Sequence, residues 1–203
     1  MEHSPQSRVG RKRISSRAML EEAACELFLE NTYAGTTIEQ IATRAGVSRN
    51  TFFNYFDAKS DVLWASVDDA LDSLETALDA ESARAQSEGA TALAAVREAL
   101  IAESARFGPG QLPIAVTQFD VMGTPGELKT SGLTRFLRMA QAVECFLVGR
   151  LGADAGTRAR VIAFALAAAV AAAGDAWARA GTARHPLGEY VADAITPICR
   201  GFA

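Results

Sequence analysis

Apolar residues recur at helical spacing along most of this chain, and no segment alternates in the way of a β-strand. The first apolar stripe steps by i, i+3, i+4, i+7 and i+8, with glutamates on the opposite side. It consists of Leu20, Ala23, Ala24, Leu27 and Phe28. A fourth helix is predicted from Asp57 towards Gln86, where apolar residues step by three or four. The whole pattern predicts an all-α protein of about nine helices.

Capping and helix-breaking residues bound the later helices. A fifth helix is expected around Leu93–Ile101, ending before the loop 108–110, and a short sixth helix follows it. A seventh should begin at Thr124, because this N-cap is followed by a first-turn proline and a capping-box glutamate, and should end near residue 152. An eighth is predicted from Asp154 to Gly181 and a ninth from Pro186 to Phe202.

Residues 36–59, TTIEQIATRAGVSRNTFFNYFDAK, predict two short helices around a tight turn. Thr37 and Gln40 can form a capping box for a helix from about Ile38 to Ala45. Gly46 supplies the turn, and Ser48 can cap the next helix. This is the pattern of a helix-turn-helix, whose second helix enters the major groove of DNA. The first side chains of that helix can exchange hydrogen bonds with base edges: Ser48, Arg49, Asn50 and Thr51.

The same stretch, with the first helix, resembles the TetR family of transcriptional repressors. The matching positions are Ala24, Leu27, Phe28, Thr36, Thr37, Ile41, Ala42, Ala45, Gly46, Val47, Ser48, Phe53, Tyr55, Phe56 and Lys59. Two positions depart from the family pattern. Thr32 stands where the family has glycine, and Asn31 is expected to adopt the left-handed conformation instead. Phe53 replaces a tyrosine whose hydroxyl commonly reaches a phosphate, so Tyr55 and Lys59 should carry more of the backbone contact.

The resemblance implies three parts. They are a basic flexible arm (1–14), a helix-turn-helix DNA-binding domain (15–58), and a ligand-binding and dimerisation domain (59–203). The arm belongs to an acid-free stretch with five basic residues that can reach phosphates or a minor groove, although a solvated tail explains it too. The residues expected to contact DNA are Arg13, Thr37, Arg44, Ser48, Arg49, Asn50, Thr51, Asn54, Tyr55 and Lys59.

Charge and cysteine content are compatible with an intracellular DNA-binding protein. The net charge of −4 is uneven, since residues 1–60 hold eight basic against seven acidic residues. Three distant cysteines and two isolated histidines predict no disulfide framework, no metal site and no cofactor, and they favour a reducing cytoplasm. Cys25 is interpreted as a small core residue, with a redox switch as the alternative.

Enzyme signatures are absent from the sequence: it has no G-x-S-x-G, phosphate-binding glycine loop, HExxH or spaced Cys/His set. Catalysis is therefore not expected. Asp68, Asp69 and Asp72 follow helical spacing and are interpreted as a solvated face. No signal peptide is visible. The apolar run 161–174 is shorter than the roughly 18–20 residues of a membrane span, so a buried helix and no membrane contact are expected.

The last two predicted helices are apolar over more surface than one partner helix can cover. The resemblance implies that they form a four-helix bundle across a two-fold axis, and the alternative is an internal core helix of a monomer. The residues expected at the dimer interface are Phe164, Ala168, Val191, Ile195 and Ile198.

A ligand cavity is expected among the fifth to seventh helices, which carry large apolar residues on more than one face. The expected ligand-binding residues are Phe107, Gln118, Phe119, Met122, Arg138, Glu144 and Phe146. Core packing for the apolar residues and solvated helix edges for the polar ones are the alternatives. Residues 121–152 are similar to a TetR subgroup with an acyl-CoA-like ligand domain, through Thr124, Pro125, Leu128, Arg135 or Arg138, Phe146, Arg150, Leu151 and Gly152. This similarity implies a long-chain acyl ligand with an arginine near its phosphates, whereas a planar lipophilic drug or metabolite is the other candidate.

The sequence therefore predicts a homodimeric repressor that binds a palindromic operator in double-stranded DNA and is released by a small lipophilic effector. The family mechanism implies that the ligand shifts the fourth helix and so changes the separation of the two recognition helices. Two rivals remain. One is a ligand-carrying or small catalytic helical protein with a purely structural N-terminal unit, and the other is an activator with the same fold.

Overall fold

A computed structural model describes residues 16–84, 92–108 and 122–202. All regular secondary structure in these ranges is helical, which confirms the predicted all-α fold. The α-helices are α1 (Ser16–Asn31), α2 (Ile38–Arg44), α3 (Arg49–Phe53), α4 (Ala65–Arg84), α5 (Ala92–Ser104), α6 (Pro125–Leu151), α7 (Gly156–Arg179) and α8 (Leu187–Phe202). A 3-10 turn, Lys59–Trp64, joins α3 to α4. The short sixth helix that the sequence predicts lies outside the described residues, so the predicted seventh to ninth helices are α6 to α8.

The helix-turn-helix forms as its local signals predict. Thr37 Oγ1 accepts a hydrogen bond from the Gln40 amide at 3.2 Å, and Gln40 Oε1 accepts one from the Thr37 amide at 2.7 Å, which completes the capping box. Ser48 Oγ accepts from the Thr51 amide at 3.1 Å and caps α3. Gly46 makes the turn with a φ of 69°, a conformation that costs glycine little.

The end of α1 differs from the sequence prediction, because Thr32 and not Asn31 adopts the left-handed conformation, with a φ of 63°. The hydroxyl of Thr36 holds this turn by donating towards the carbonyls of Thr32, at 2.8 Å, and Leu27, at 3.2 Å. The turn is further tied by the Tyr33 amide, which donates to the Met122 carbonyl at 2.7 Å. A β-branched residue is strained in this conformation, so the surrounding contacts impose it.

Two hydrophobic clusters hold the molecule together. The N-terminal cluster contains Leu20, Ala23, Ala24, Leu27, Phe28, Ile41, Ala45, Phe52, Phe56, Val62, Leu63, Ala65 and Met122. Met122 belongs in sequence to the predicted ligand-binding domain, but its side chain is 0% exposed in this N-terminal cluster. The sequence placed this methionine in the ligand cavity. The structure corrects that expectation, since its side chain completes the core of the DNA-binding domain.

The C-terminal cluster lies among α4, α5, α6, α7 and α8. Val191 and Ile195 of α8 are both 0% exposed within it. The sequence assigned these two residues to a dimer interface. Side chains already buried by their own chain cannot contact a second subunit, so the structure assigns them to the internal core instead. The three other expected interface residues are more accessible: Phe164 and Ile198 are half-buried, and Ala168 is exposed.

Helix α7 is buried on one side only. Among the described residues it is the one helix that is long and apolar enough to cross a membrane, and a third of its most apolar window is buried. The buried side faces the C-terminal cluster, whereas the other side exposes alanines and Val161, which is 52% accessible. The sequence-based expectation of a buried helix therefore holds for one face of α7.

Candidate DNA-binding surface and effector site

The start of α3 presents polar side chains to solvent. Ser48, Arg49 and Asn50 are exposed, and Thr51 is half-buried. The Ser48 and Thr51 hydroxyls lie 2.9 Å apart, so each is oriented by the other. Phe52 points inward with 0% exposure and anchors the helix against the N-terminal cluster. A short helix fixed by one buried face thus offers its opposite face to a groove.

The predicted contacts that flank α3 differ in how free their side chains are. Asn54 and Tyr55 are exposed at its end. Thr37 is exposed, although its hydroxyl already caps α2. Arg44 binds two glutamates of α1, with Nη1 at 3.0 Å from Glu26 Oε2 and Nη2 at 2.8 Å from Glu30 Oε2. These hydrogen bonds, the one to Glu30 foremost, raise the pKa of Arg44, so its guanidinium stays charged and is already paired with two carboxylates. Arg13 lies outside the described residues.

Lys59 turns into the protein. Its ammonium donates to the carbonyls of Tyr33, at 2.6 Å, and Thr36, at 2.7 Å, and lies 4.0 Å from the centroid of the Tyr33 ring. Burial lowers the pKa of this ammonium. The sequence expected the Lys59 side chain to contact a phosphate. In this structure it ties the α1–α2 turn to the start of the 3-10 turn, and contact with a phosphate would require it to leave both carbonyls.

Sequence reasoning missed the polar junction between the DNA-binding domain and α6. Trp64 Nε1 donates to Ser131 Oγ at 2.7 Å, and a Cβ added at Gly132 would lie 3.1 Å from the Trp64 ring. Arg135 Nη2 lies 2.8 Å from Asp61 Oδ1 and 2.8 Å from Asp68 Oδ2, with its own side chain only 14% exposed. Gly132 has no side chain, so the Trp64 indole can lie directly on α6. The sequence signal for this junction was therefore a glycine three residues before an arginine on the same helix.

The same junction bears on the aspartates of α4, which the sequence analysis interpreted as a solvated face. Asp69 and Asp72 are exposed, with side chains 56% and 67% accessible, and only Asp68 is half-buried. Asp68 binds Arg135 through both oxygens, Asp69 binds Arg17 of α1 at 2.7 Å, and Asp72 binds Arg138. Hydrogen bonds to Asp68 and then Asp61 raise the pKa of Arg135 against the effect of burial. This face of α4 therefore forms charged contacts with both of its neighbours.

A groove of about 460 Å³ between α4 and α6 brings together two of the predicted ligand residues. Phe146 and Arg138 line it, together with Leu78 and Cys145. Arg138 also pairs with Glu75 at 2.8 Å, and this contact raises its pKa. The sequence analysis expected Arg135 or Arg138 to bind a ligand phosphate. Both guanidinium groups are instead paired with carboxylates of α4, so neither is free for that contact.

The other predicted ligand residues are dispersed. Phe107 packs edge-on against Trp177 of α7, with ring centroids 6.5 Å apart, and is not part of the groove lining. Glu144 is half-buried on α6, and Gln118 and Phe119 lie outside the described residues. Arg150 was not among the ligand-binding residues expected from the sequence. Its guanidinium lies 5.8 Å from the Phe146 ring centroid, and its buried Nη1 has no hydrogen-bond partner among the described residues.

No group of three or more metal-ligating side chains is found in the part of the chain that the structure describes. Cys25 is half-buried on α1, and burial raises the pKa of its thiol to about 11. A thiol in this state is protonated near neutral pH and reacts slowly.

Comparisons with known proteins agree with this architecture. The family model of bacterial regulatory proteins of the tetR family matches residues 20–65, and the model of the MftR C-terminal domain matches residues 90–203. MftR of Mycobacterium tuberculosis, whose name assigns it to transcriptional regulation of mycofactocin biosynthesis, is 26% identical over 147 residues, 72% of this chain and 71% of that protein.

Two solved structures share the fold over almost the whole chain. NalD of Pseudomonas aeruginosa, the secondary repressor of the MexAB-OprM multidrug efflux pump, has a TM-score of 0.59 at 18% identity, covering 92% of this chain and 96% of NalD. FadR of Thermus thermophilus, a TetR family transcriptional repressor in complex with lauroyl-CoA, has a TM-score of 0.56 at 22% identity, covering 91% of this chain and 94% of FadR.

Proposed function

Because the chain belongs to the TetR family of bacterial transcriptional regulators, which are not enzymes, we propose that it is a ligand-responsive repressor. It binds a palindromic DNA operator as a homodimer in the cytoplasm and leaves the operator when a small lipophilic effector binds. The observation that carries this proposal is the exposed start of α3, with Ser48, Arg49 and Asn50 presented from a helix anchored by Phe52.

The proposed dimer interface is the exposed side of α7. Val161 and Ala168 are exposed there, and Phe164 is half-buried against Phe136, with ring centroids 5.9 Å apart. An apolar helix face that its own chain leaves open suits a symmetric contact with a second copy, and small residues allow close helix approach. Two copies of α3 related by a two-fold axis would then read two half-sites of a palindrome.

A matched pair of substitutions tests this dimer. Ala168→Asp places a charge on the open face and should give a folded monomer with weak operator binding, because burying an unpaired charge in an apolar interface is costly. Ile195→Asp places the same charge in the internal core and should unfold the C-terminal domain instead. Analytical ultracentrifugation and circular dichroism separate the two results. An Ala168→Asp protein that still sediments as a dimer would contradict the proposed interface.

The effector is proposed to be a long-chain acyl-CoA. The groove between α4 and α6 has the largely buried Leu78 and Phe146 in its lining, and FadR, which has the same fold, is in complex with lauroyl-CoA. Arg150 is proposed as the cation for the anionic end of the ligand, since its buried Nη1 lacks an acceptor among the described residues. A planar lipophilic drug or metabolite is the competing candidate, because NalD, which shares this fold, is a repressor of a multidrug efflux pump.

The effector is proposed to release DNA by displacing α6. This helix lines the groove at Phe146, binds the 3-10 turn and α4 through Arg135, and follows directly on Met122 in the N-terminal core. A ligand that displaces α6 should therefore disturb the Arg135 ion pairs and the packing of Met122 in the N-terminal cluster. Operator and effector then compete by linkage, each lowering the affinity of the other.

One titration tests both halves of the proposal. The protein is bound to a labelled duplex taken from the DNA upstream of its own coding sequence, and acyl-CoAs of increasing chain length are added. Tight binding and release by long chains but not short ones are expected, because each buried methylene contributes about 0.8 kcal/mol. No binding to any upstream duplex would favour the ligand-carrying protein, and no release by any chain length would favour the drug-like ligand. A promoter-reporter assay in cells separates a repressor from an activator.

A further inference from the structure

The Arg49 guanidinium, at the start of the recognition helix α3, is held on two sides. Its Nε lies 2.6 Å from Oε1 of Glu39, which belongs to the first turn of α2. The guanidinium carbon lies 5.0 Å from the ring centroid of Phe53, one helical turn further along α3. The Phe53 ring is fixed in turn by edge-on packing against Phe52, with centroids 5.5 Å apart and planes at 80°. Phe52 is fully buried, so this arrangement is anchored in the domain core.

We propose that Glu39 is a positioning residue for base recognition, which orients Arg49 towards a guanine in the major groove. Glu39 does not itself contact DNA in this proposal. It holds Nε, while the Phe53 ring supports one face of the guanidinium. The inference rests on the proposed function, because it presupposes that the chain reads a specific DNA sequence.

The free end of Arg49 suits guanine. A guanidinium forms two parallel hydrogen bonds with the O6 and N7 acceptors that guanine presents in the major groove. Because Glu39 approaches the guanidinium at Nε, the two terminal nitrogens are left to turn towards the base. Arginine otherwise loses considerable rotamer freedom on binding, and a side chain that is already restrained loses less.

Stability alone does not account for the Glu39 contact. The two side chains are 58% and 60% exposed, and pairs of this kind contribute little to folding. The position is also unfavourable for a carboxylate in a DNA-binding surface, because every duplex brings phosphates that repel it. Glu39 should therefore weaken binding to all DNA while sharpening the choice among sequences. This combination of opposite effects distinguishes a positioning residue from a structural one.

The test uses Glu39→Gln, Arg49→Ala and the double variant, with Glu26→Gln as the matched control. Glu26 is 52% exposed and pairs with Arg44 in the same domain, so its substitution removes the same charge without touching Arg49. Each protein selects duplexes from a randomised DNA library, and the bound DNA is sequenced. Affinities are then measured for the duplex that the wild type enriches most and for its single-base variants. Thermal denaturation confirms that each variant is folded.

Arg49→Ala should lower the preference at one base pair of each half-site by about 5- to 150-fold, the range of a good bidentate contact. Glu39→Gln should lower the preference at that same base pair by about 2- to 10-fold, at the lower end of couplings between interacting residues. It should bind unrelated duplexes at least as tightly as the wild type. In the double variant, Glu39→Gln should change nothing further at that base pair, and Glu26→Gln should leave the preference intact.

Three results would overturn the inference while the proposed function stands. One is a Glu39→Gln profile identical to that of the wild type, and another is a uniform loss of affinity for all duplexes. A change at a base pair that Arg49→Ala does not affect would also overturn it, because Glu39 would then act without Arg49. Failure of the wild type to enrich any sequence would withdraw the proposed function together with the inference.

Discussion

Replacing Met122 by alanine should destabilise the DNA-binding domain, although the residue lies in the ligand-binding part of the sequence. Its side chain is fully buried in the N-terminal cluster with Leu20 and Phe28. Truncating a buried methionine to alanine costs about 2–5 kcal/mol through lost burial and the cavity left behind. The hydrogen bond from the Tyr33 amide to the Met122 carbonyl at 2.7 Å involves only main chain, so it should survive. The loss is large beside a typical total stability of about 5–15 kcal/mol.

The two tryptophans allow the effect to be located. Trp64 lies at the junction with the N-terminal cluster, and Trp177 is 2% exposed in the C-terminal domain beside Phe107. A Trp177→Phe background reports on Trp64 alone, and a Trp64→Phe background reports on Trp177 alone. In urea, Met122→Ala should lower the midpoint of the Trp64 transition by about 1–2 M, given typical urea m-values. The Trp177 transition should move much less, and operator affinity should fall with the Trp64 midpoint.

Leu147→Ala is the matched control for this experiment. Leu147 lies on α6, 1% exposed in the C-terminal cluster, and its truncation should cost a similar free energy. Its main effect should appear in the Trp177 transition. The reasoning about Met122 would be refuted by a Met122→Ala protein whose Trp64 midpoint is unchanged. It would also be refuted if Met122→Ala and Leu147→Ala gave the same pattern in the two reporters.

Three further predictions concern single positions in the DNA-binding domain. Thr32→Gly should raise stability by about 1 kcal/mol, since the left-handed φ of 63° strains threonine but not glycine, and calorimetry should show a melting temperature about 2–4 °C higher. Lys59→Met should cost about 1–3 kcal/mol in urea unfolding, because two carbonyls lose a charged donor, and should leave the salt dependence of DNA binding unchanged. Cys25 should resist iodoacetamide at pH 8 in the native state, because its thiol pKa of about 11 keeps it protonated below that value, while exposed Cys145 reacts first in a mass-spectrometric time course.

The helix-turn-helix could be predicted from the sequence because its determinants act over a few residues. The capping box of Thr37 and Gln40, the Ser48 cap and the Gly46 turn each depend on neighbours within one helical turn, and all are present in the structure. Thr32 was the exception in this region. The choice between Thr32 and Asn31 for the left-handed position depends on the hydroxyl of Thr36 and on the distant carbonyl of Met122, which no local rule includes.

The dimer and ligand residues were harder to predict, because periodicity identifies an apolar helix but does not say which face its own chain covers. On α8, Val191 and Ile195 lie on one stripe, and Ala194 and Ile198 lie on the neighbouring one. Both stripes are apolar, so the sequence alone could not tell which of them packs against α5 and α7. The structure buries the first completely and leaves the second half-buried.

The charged residues of α4 show the same dependence on tertiary structure, and they bear on the mechanism. Asp68 and Arg135 are 67 residues apart in sequence, and they meet because α6 runs beside α4 in the same direction.

At 1.5 Å per residue, the 27 residues of α6 span about 40 Å. Phe146, in the proposed effector groove, is 11 residues from Arg135 and so lies about 16 Å along the axis from the contact with Asp61. The residues between these two points are continuous helix, and the close-packed core around Met122 resists a displacement of α6. We therefore expect a ligand in the groove to act on the recognition helix through α6 as well as through α4.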